Sequence, residues 1–171
     1  MSFWLRGSLW APDDPGVWSG QNGGNQVVSI ISSYSTKIKL APRASRGSGS
    51  RTDPTWKLLH EAVIAAAEEL GGEVGVEIAD YSGTTRGVDF AISTPEFPRG
   101  AGIVVSPGGE VRFLYDHYGG YRRQAQQICD LVTKHYTTLA VARALRELNY
   151  EVDVAETGQG AERRVMVRGV M

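Results

Sequence analysis

The sequence has little of three things from which a function is often read: cysteine, histidine and an excess of charge of one sign. A single cysteine, Cys129, excludes a disulfide within this chain and a zinc site built from cysteines. The three histidines, His60, His117 and His135, show no metal-ligand spacing, so we predict neither a metal nor another cofactor. Basic residues number 18 against 19 acidic ones, so the chain as a whole lacks the general attraction for phosphate that supports nucleic-acid binding.

The chain also lacks a long apolar segment. Its longest unbroken apolar run covers residues 62–67, far short of the ~20 residues that a membrane-spanning helix needs. The first residues show neither the charged nor the apolar region of a secretory signal peptide. We therefore expect a cytoplasmic protein that does not enter a membrane.

What the sequence does contain is enough apolar material for one folded domain. Hydrophobic residues make up 42% of the 171 residues, a content that indicates a folded chain with its own core. We assign residues 27–171 to a single domain and residues 1–26 to an irregular extension rich in tryptophan, glycine and proline. Exposed tryptophans are costly, so we expect Trp4, Trp10 and Trp18 to pack on the domain or on a partner.

Two segments show the spacing of three and four residues that is typical of an amphipathic helix. The first begins at Asp53, an N-cap residue that is followed by proline, and ends at Gly71. The second begins near Tyr121 and continues through a predicted kink at Thr137 to Leu148. Because each helix has one apolar stripe, we expect both helices to cover the same face of a sheet.

Alternation of apolar and polar residues indicates strands in most of the remaining chain. One strand is expected within residues 27–40, with a bulge around Ser32 and Ser33. The others are predicted at residues 73–80, 87–93, 103–106, 110–116, 151–156 and 163–168. The order of elements predicts an α+β fold, with a mostly antiparallel sheet of six or seven strands and two main helices packed on one face. The other face is expected to stay partly exposed, with Arg112, Leu114, Glu73 and Glu77 on it.

Each predicted helix leads into the same short pattern. Residues 73–76 read Glu-Val-Gly-Val, and residues 151–154 read Glu-Val-Asp-Val. Each pattern follows a helix stop with a residue that accepts left-handed backbone, Gly71 in the first case and Asn149 in the second. The likeness therefore follows from a shared helix-to-strand geometry and does not require a duplication.

Four motifs occur in a fixed order between residues 27 and 168. They are Gly-Val-Asp-Phe-Ala-Ile at residues 87–92, Gly102 and Ile103 with the hairpin after them, Tyr136 in the second helix, and Leu-Asn-Tyr-Glu-Val at residues 148–152. In this order they resemble a family of short uncharacterised proteins from cyanobacteria, algal plastids and other bacteria, domain of unknown function family 1257. The resemblance implies a bacterial type of protein with no catalytic residues assigned.

The chain departs from this family in three places. It carries the tryptophan-bearing extension, it has Asn149 where the family tends to have glycine, and it has Gly-Gln-Gly at residues 158–160 where the family has a tighter turn. Members of the family often lie beside an AAA-type ATPase. The resemblance therefore implies at most a role as a subunit or adaptor of such a partner.

The best candidate site is the segment where a strand ending at Asp116 meets the start of the second helix. The free N–H groups and the dipole at a helix start favour an anion, and Arg122 and Arg123 add positive charge. His117 titrates near neutrality when unperturbed, and Asp116 could orient it if the loop turned sharply between the two residues. No serine or cysteine nucleophile accompanies them, so a purely structural loop is the competing interpretation.

A weaker candidate is a basic segment that holds no acidic residue and includes Gly-Ser-Gly-Ser at residues 47–50. Its basic side chains are Lys37, Lys39, Arg43, Arg46 and Arg51. The segment lacks the Gly-Lys-Ser/Thr ending of a phosphate-binding loop. A solvated linker is therefore favoured over an anion-binding or nucleic-acid-binding loop.

Three functions stay open at this point. We favour a noncatalytic binding or assembly subunit that acts through protein-protein contacts, with another protein, with itself, or with an AAA-type ATPase. The second is a small-ligand or anion-binding protein, or an enzyme, that uses His117, Arg122 and Arg123. The third is nucleic-acid binding through residues 37–51. Only the first of these makes use of both the tryptophan-bearing extension and the partly exposed sheet face.

Overall fold

The structure is a computed structural model that describes residues 2–4, 31–40, 53–157 and 164–170 of the chain. Several residues named above lie outside the described residues, so the predictions about them stay predictions. They are Trp10, Trp18, Arg43, Arg46 and Arg51, together with the side chain of Trp4.

Two helices and eight strands follow one another along the described chain. They are β1 (Ser2–Trp4), β2 (Ile31–Lys39), α1 (Pro54–Glu69), β3 (Glu73–Ala79), β4 (Thr85–Thr94), β5 (Phe97–Val105), β6 (Glu110–Asp116), α2 (Arg122–Glu147), β7 (Glu151–Thr157) and β8 (Arg164–Val170). Apart from the three-residue β1, the strands number seven, and all paired strands are antiparallel. The predicted α+β fold is confirmed.

The strands divide between two sheets instead of forming one. Five strands are arranged in the order β2-β6-β5-β4-β3, and three in the order β1-β8-β7. The division follows from α2, which has 26 residues and is therefore about 39 Å long at 1.5 Å per residue. Such a helix is longer than one small sheet is wide, so its second half packs against the smaller sheet.

The main core lies between the five-stranded sheet and one side of both helices. Leu59 from α1 and Ile128 and Val132 from α2 are fully buried against sheet residues such as Ile103. Cys129 is buried in the same cluster. Both helices therefore pack on the same face of the sheet, as predicted. Neither α1 nor α2 has the length and apolar composition that spanning a bilayer requires.

A second, smaller core lies between the end of α2 and the three-stranded sheet. Its buried members come from α2 and β8, with partly buried residues around them: Ala142, Leu145, Val165 and Val167, then Val141, Tyr150 and Val152. The helix therefore takes part in both cores and connects the two sheets.

The boundaries of the helices match their sequence signals. Gly71 and Asn149 follow the two helices with positive φ angles of 61° and 64°, as predicted for left-handed stop residues. The helix α2 continues through Thr137 and Thr138, whose hydroxyl groups donate to the carbonyls one turn earlier at 2.7 and 2.9 Å. Such bonds often bend a helix without ending it, so the kink at Thr137 stays a prediction.

The predicted position of the bulge in β2 is wrong. Ser32 and Ser33 pair in regular register with β6, and the irregularity lies between Ser35 and Lys39. At that point the hydroxyl of Thr36 donates to the carbonyl of Val111 at 2.9 Å and accepts from the N–H of Ile38 at 3.2 Å. A side chain thus replaces a backbone partner where the ladder is interrupted.

The carboxylate of Asp53 caps the N-terminus of α1. Asp53 accepts hydrogen bonds from the hydroxyl and the N–H of Thr55 at 2.6 and 2.7 Å. These bonds, the hydroxyl bond above all, lower the pKa of Asp53 below its ordinary value of 3.8. The cap therefore contributes stability above pH 3.8 that is lost as the pH falls through the lowered pKa. We expect Asp53→Ala to cost about 1 kcal/mol at neutral pH in urea unfolding.

The matched control is Asp53→Asn, because asparagine is also a good cap but does not titrate. We expect this variant to keep most of the stability at neutral pH and to lose less of it than the wild type in acid. An acid dependence identical to that of the wild type would contradict the assignment of this effect to Asp53.

Candidate functional site

The loop between β6 and α2, which contains the predicted site, is built on a buried ion pair. Asp116, the last residue of β6, is only 2% exposed. Its Oδ2 accepts from Arg99 Nη1 at 2.7 Å and from the N–H of Tyr81 at 2.6 Å. Its Oδ1 accepts from the N–H of Tyr118 at 2.9 Å. One carboxylate therefore joins β5, the turn between β3 and β4, and the loop that enters α2.

Arg99 lies at the centre of this arrangement and is 16% exposed at its side chain. Its Nη2 donates to the carbonyl of Tyr118. The guanidinium lies 4.8 Å from the ring centroid of Tyr121 and 5.8 Å from that of Tyr81, both within the range of a cation–π contact. A planar, permanently charged group with several donors can make all of these contacts at once, which a lysine cannot do.

Two tyrosines form the outer surface of this group. The rings of Tyr81 and Tyr118 lie 3.9 Å apart between centroids, and the residues are 51% and 47% exposed. The side-chain hydrogen bond between them, more than burial, raises the pKa of Tyr118 above its ordinary value. The phenol of Tyr118 therefore stays protonated near pH 7. We call Tyr81, Arg99, Asp116, Tyr118 and Tyr121 the tyrosine-arginine cluster.

Two glycines allow the loop to close over Arg99. Gly119 and Gly120 have positive φ angles of 94° and 79°, which L residues with side chains rarely adopt. A Cβ atom on Gly119 would lie 2.5 Å from Arg99 Nη2. Glycine is therefore required at both positions by the positive φ angle. At Gly119 it is also required because Arg99 leaves no room for a Cβ atom.

A small cleft adjoins the cluster. Its volume is about 270 Å³, and it is lined by Ile31, Ile78, Ala79, Asp80, Thr84, Thr85, Arg86 and Asp116. Binding pockets for drug-sized ligands are usually about 300–1,000 Å³. The carboxylate of Asp116 already has three hydrogen-bond donors. The cleft therefore gives little support to the recognition of a small molecule.

The structure brings only one of the four predicted site residues into the cluster. Asp116 is buried there, whereas His117, Arg122 and Arg123 are exposed. The ring of His117 lies 6.2 Å from the ring of Tyr115, and the hydrogen bonds of Asp116 described above go to other groups. An anion site at the start of α2 stays a prediction.

The other predicted residues are placed as follows. Lys37 and Lys39 alternate along β2 as exposed side chains on either side of the buried Ile38. Within the part of the chain that the structure describes, no group of three or more His, Cys, Asp or Glu side chains is placed to hold a metal ion.

A second pair of tyrosines, the buried Tyr115 and the partly buried Tyr34, connects β2 to β6. The hydroxyl groups of Tyr34 and Tyr115 lie 2.5 Å apart, and their rings are stacked at 5.3 Å between centroids. Burial raises the pKa of Tyr115 well above its ordinary value, and the bond to Tyr34 adds to the shift. The phenol of Tyr115 therefore stays protonated and acts in packing.

Sequence reasoning missed four members of the cluster: Tyr81, Arg99, Tyr118 and Tyr121. Arg99 lies between Pro98 and Gly100, outside the strands predicted at residues 87–93 and 103–106, whereas the structure places all three residues inside β5. Proline is tolerated there because β5 pairs with β6 only from Gly102 onward. No signal close to Arg99 in the sequence points to Asp116.

Comparison with known proteins finds no significant relative of this chain. No family model matches the chain, and neither a curated protein nor a solved structure matches it significantly. The likeness to domain of unknown function family 1257 therefore stays a prediction.

Proposed function

We propose that this chain is a noncatalytic binding or assembly subunit that contacts a protein partner through Tyr81 and Tyr118. The observation that carries the proposal is a pair of half-exposed tyrosines whose backbone groups are hydrogen-bonded to the ion pair of Arg99 and Asp116. Tyrosine and arginine are enriched among the residues that supply most of the binding energy in protein interfaces. The tyrosine-arginine cluster contains three tyrosines and one arginine.

The rigidity of the cluster supports the same function. Binding is weakened when flexible side chains must be ordered in the complex. Here Tyr81 and Tyr118 already contact each other, and the backbone of both is bonded to Asp116. Rigid aromatic side chains give large contact area at low entropic cost. A partner therefore meets two tyrosines whose conformations are largely set before binding.

These contacts indicate the chemistry of the partner's surface. An interface centred on tyrosine rings suits a protein surface that offers apolar groups and hydrogen-bond acceptors for the phenols. An AAA-type ATPase is the partner that the family resemblance implies, and it is proposed on that ground alone.

The two other functions receive less support from the described residues. An enzyme usually excludes water from its reacting groups, but His117, Arg122 and Arg123 are all exposed. For nucleic-acid binding, the described part of the basic segment contributes Lys37 and Lys39 on β2. Two exposed lysines provide a weak electrostatic attraction that is further reduced by salt.

The test is affinity purification of the tagged chain from its native cell, followed by mass spectrometry. We expect the wild type to retain a protein in stoichiometric amount and Tyr81→Ala with Tyr118→Ala to weaken this binding by about 30-fold or more, the effect of losing an interface hot spot. The Phe replacements at both positions keep the rings and should retain most of the binding.

The matched control changes the other candidate site. We expect His117→Ala with Arg122→Ala and Arg123→Ala to leave the captured protein in place. The proposal is overturned if the wild type captures no protein and does not self-associate, or if the triple change releases the partner while the tyrosine change does not.

A further inference from the structure

The strand β3 forms one edge of the five-stranded sheet. It is last in the order β2-β6-β5-β4-β3, and among the described residues its ladder partner is β4 alone. Five consecutive residues of β3, from Glu73 to Glu77, are exposed. Among them Val74 and Val76 are 40% and 62% exposed. We call residues 73–77 the β3 edge.

This edge lacks several features that usually prevent strand pairing. Natural edge strands are often protected by proline, by charged side chains, lysine above all, or by a bulge in the edge strand itself. Residues 73–77 contain neither proline nor lysine, and their only charges are Glu73 and Glu77. The irregularity here lies in β4, because Gly75 pairs with Ala91 and Glu77 with Gly87, which leaves Val76 opposite three residues of β4. The β3 edge is therefore an uninterrupted extended segment.

The side chains of the edge define a charge pattern. Residues 73–77 are, in order, acidic, apolar, glycine, apolar and acidic. Glu73 and Glu77 therefore flank the two exposed valines. Opposite charges across neighbouring strands stabilise a sheet, and like charges directly opposite destabilise it. A complementary strand therefore has basic residues at its two outer positions and apolar residues inside them. Because the pattern is symmetric, it fits a strand that runs in either direction.

The same chain contains an example of such pairing. The strand β7 begins with the related pattern Glu-Val-Asp-Val at residues 151–154, and it pairs with β8, whose residues 164–168 read Arg-Val-Met-Val-Arg. Asp153 lies opposite Arg168, and Val154 opposite Val167. The ladder of β7 and β8 thus contains one acidic-basic pair beside an apolar pair, while Glu151 lies opposite Val170 and Arg164 opposite Thr157.

We propose that the β3 edge binds, by strand addition, an extended segment of a partner protein with the pattern basic, apolar, any residue, apolar, basic. Main-chain hydrogen bonds to an exposed edge provide affinity, and the side-chain pattern provides specificity. This inference rests on the proposed function, because it names a second contact surface and the chemistry of the segment that fits it.

A second copy of the chain fits this edge less well. Pairing of two β3 edges in register places Glu73 opposite Glu77 of the copy, or each glutamate opposite itself in the parallel case, and both arrangements oppose like charges. The complementary strand β8 is paired on both sides, with β1 and with β7. A basic-apolar segment of another protein is therefore the occupant that the charges favour.

The experiment measures binding of two synthetic peptides to the full chain. One contains Arg-Val-Thr-Val-Arg and the other Glu-Val-Thr-Val-Glu, each with the same threonine and serine flanks. Fluorescence anisotropy gives the affinities, and backbone amide shifts in NMR spectra give the location. We expect the arginine peptide to bind about tenfold or more tightly than the glutamate peptide, with shifts concentrated in β3 and β4.

Charge reversal at the edge provides the decisive variant. Glu73→Lys with Glu77→Lys changes two exposed residues, so it should keep the fold, and we expect it to prefer the glutamate peptide. Circular dichroism checks that the variant is folded. Equal binding of both peptides by the wild type, no change of preference in the variant, or shifts centred on β7 and β8 would each overturn the inference.

A further variant separates this inference from the proposed function. Tyr81→Ala with Tyr118→Ala should bind the arginine peptide as the wild type does, because neither tyrosine belongs to residues 73–77. Loss of the cellular partner without loss of peptide binding supports both surfaces. If the wild type captures a partner but binds both peptides equally, the inference about the β3 edge is wrong and the proposed function still stands.

Discussion

Replacement of Asp116 by alanine is expected to destabilise the fold by about 3 to 5 kcal/mol, the cost of removing one partner of a buried ion pair. The side chain of Asp116 is 1% exposed and that of Arg99 is 16% exposed, so the remaining guanidinium gains little compensation from water. The same change leaves the N–H groups of Tyr81 and Tyr118 without their acceptor. Urea unfolding followed by circular dichroism measures the effect.

An exposed ion pair of the same sheet provides the matched control. Glu110 and Arg112 are bonded at 3.0 Å, but their side chains are 55% and 50% exposed. Exposed pairs contribute only about 0 to 1 kcal/mol, so Glu110→Ala should have a small effect. We expect Asp116→Asn to fall between the two, because the amide keeps an acceptor but loses the charge. Similar losses for Asp116→Ala and Glu110→Ala would contradict the structural role of the buried pair.

The helices could be predicted from the sequence because their signals are local. Asp53 and Pro54 indicate the start of α1 whatever the rest of the chain does, and Asp53 does accept from the N–H of Thr55. At the other end, Gly71 has the positive φ that its position predicted. Both signals depend on residues within one helical turn.

The division into two sheets could not be predicted in this way. Alternation identifies a strand and its two faces, but it does not identify the neighbouring strand. The strands β7 and β8 have the same kind of alternation as β3 and β4, yet they pair with each other and with β1. The difference comes from α2, whose length carries the final strands to a second core formed with Leu145 and its neighbours.

The site was predicted only in its local part for the same reason. Asp116 was recognised because it ends a strand next to a helix start. Its partners Arg99 and Tyr81 precede it by 17 and 35 residues. They reach it through the arrangement of β3 to β6 in the sheet, which no short motif encodes. Residues that meet through tertiary structure lack a signal in a single sequence unless their spacing is characteristic.

The second large effect is expected for Ile103→Ala in the main core. Ile103 is 0% exposed and pairs with Phe90 on one side and Phe113 on the other in the middle of the sheet. Truncation of a buried isoleucine to alanine costs about 2 to 5 kcal/mol, and sites that cannot collapse lie at the upper end. Because these neighbours belong to both adjacent strands, we expect about 4 kcal/mol for this site.

Leu145→Ala is the matched change in the smaller core, where Leu145 is 6% exposed and packs with Val165 and Val167. We expect a loss of about 2 kcal/mol, the lower end of the range, because this core has few buried members. Amide hydrogen exchange should distinguish the two variants. Ile103→Ala should lower protection throughout the five-stranded sheet, whereas Leu145→Ala should lower it mainly in β7 and β8. Equal loss of protection in both sheets for both variants would show that α2 couples the two cores into one unfolding unit, contrary to this expectation.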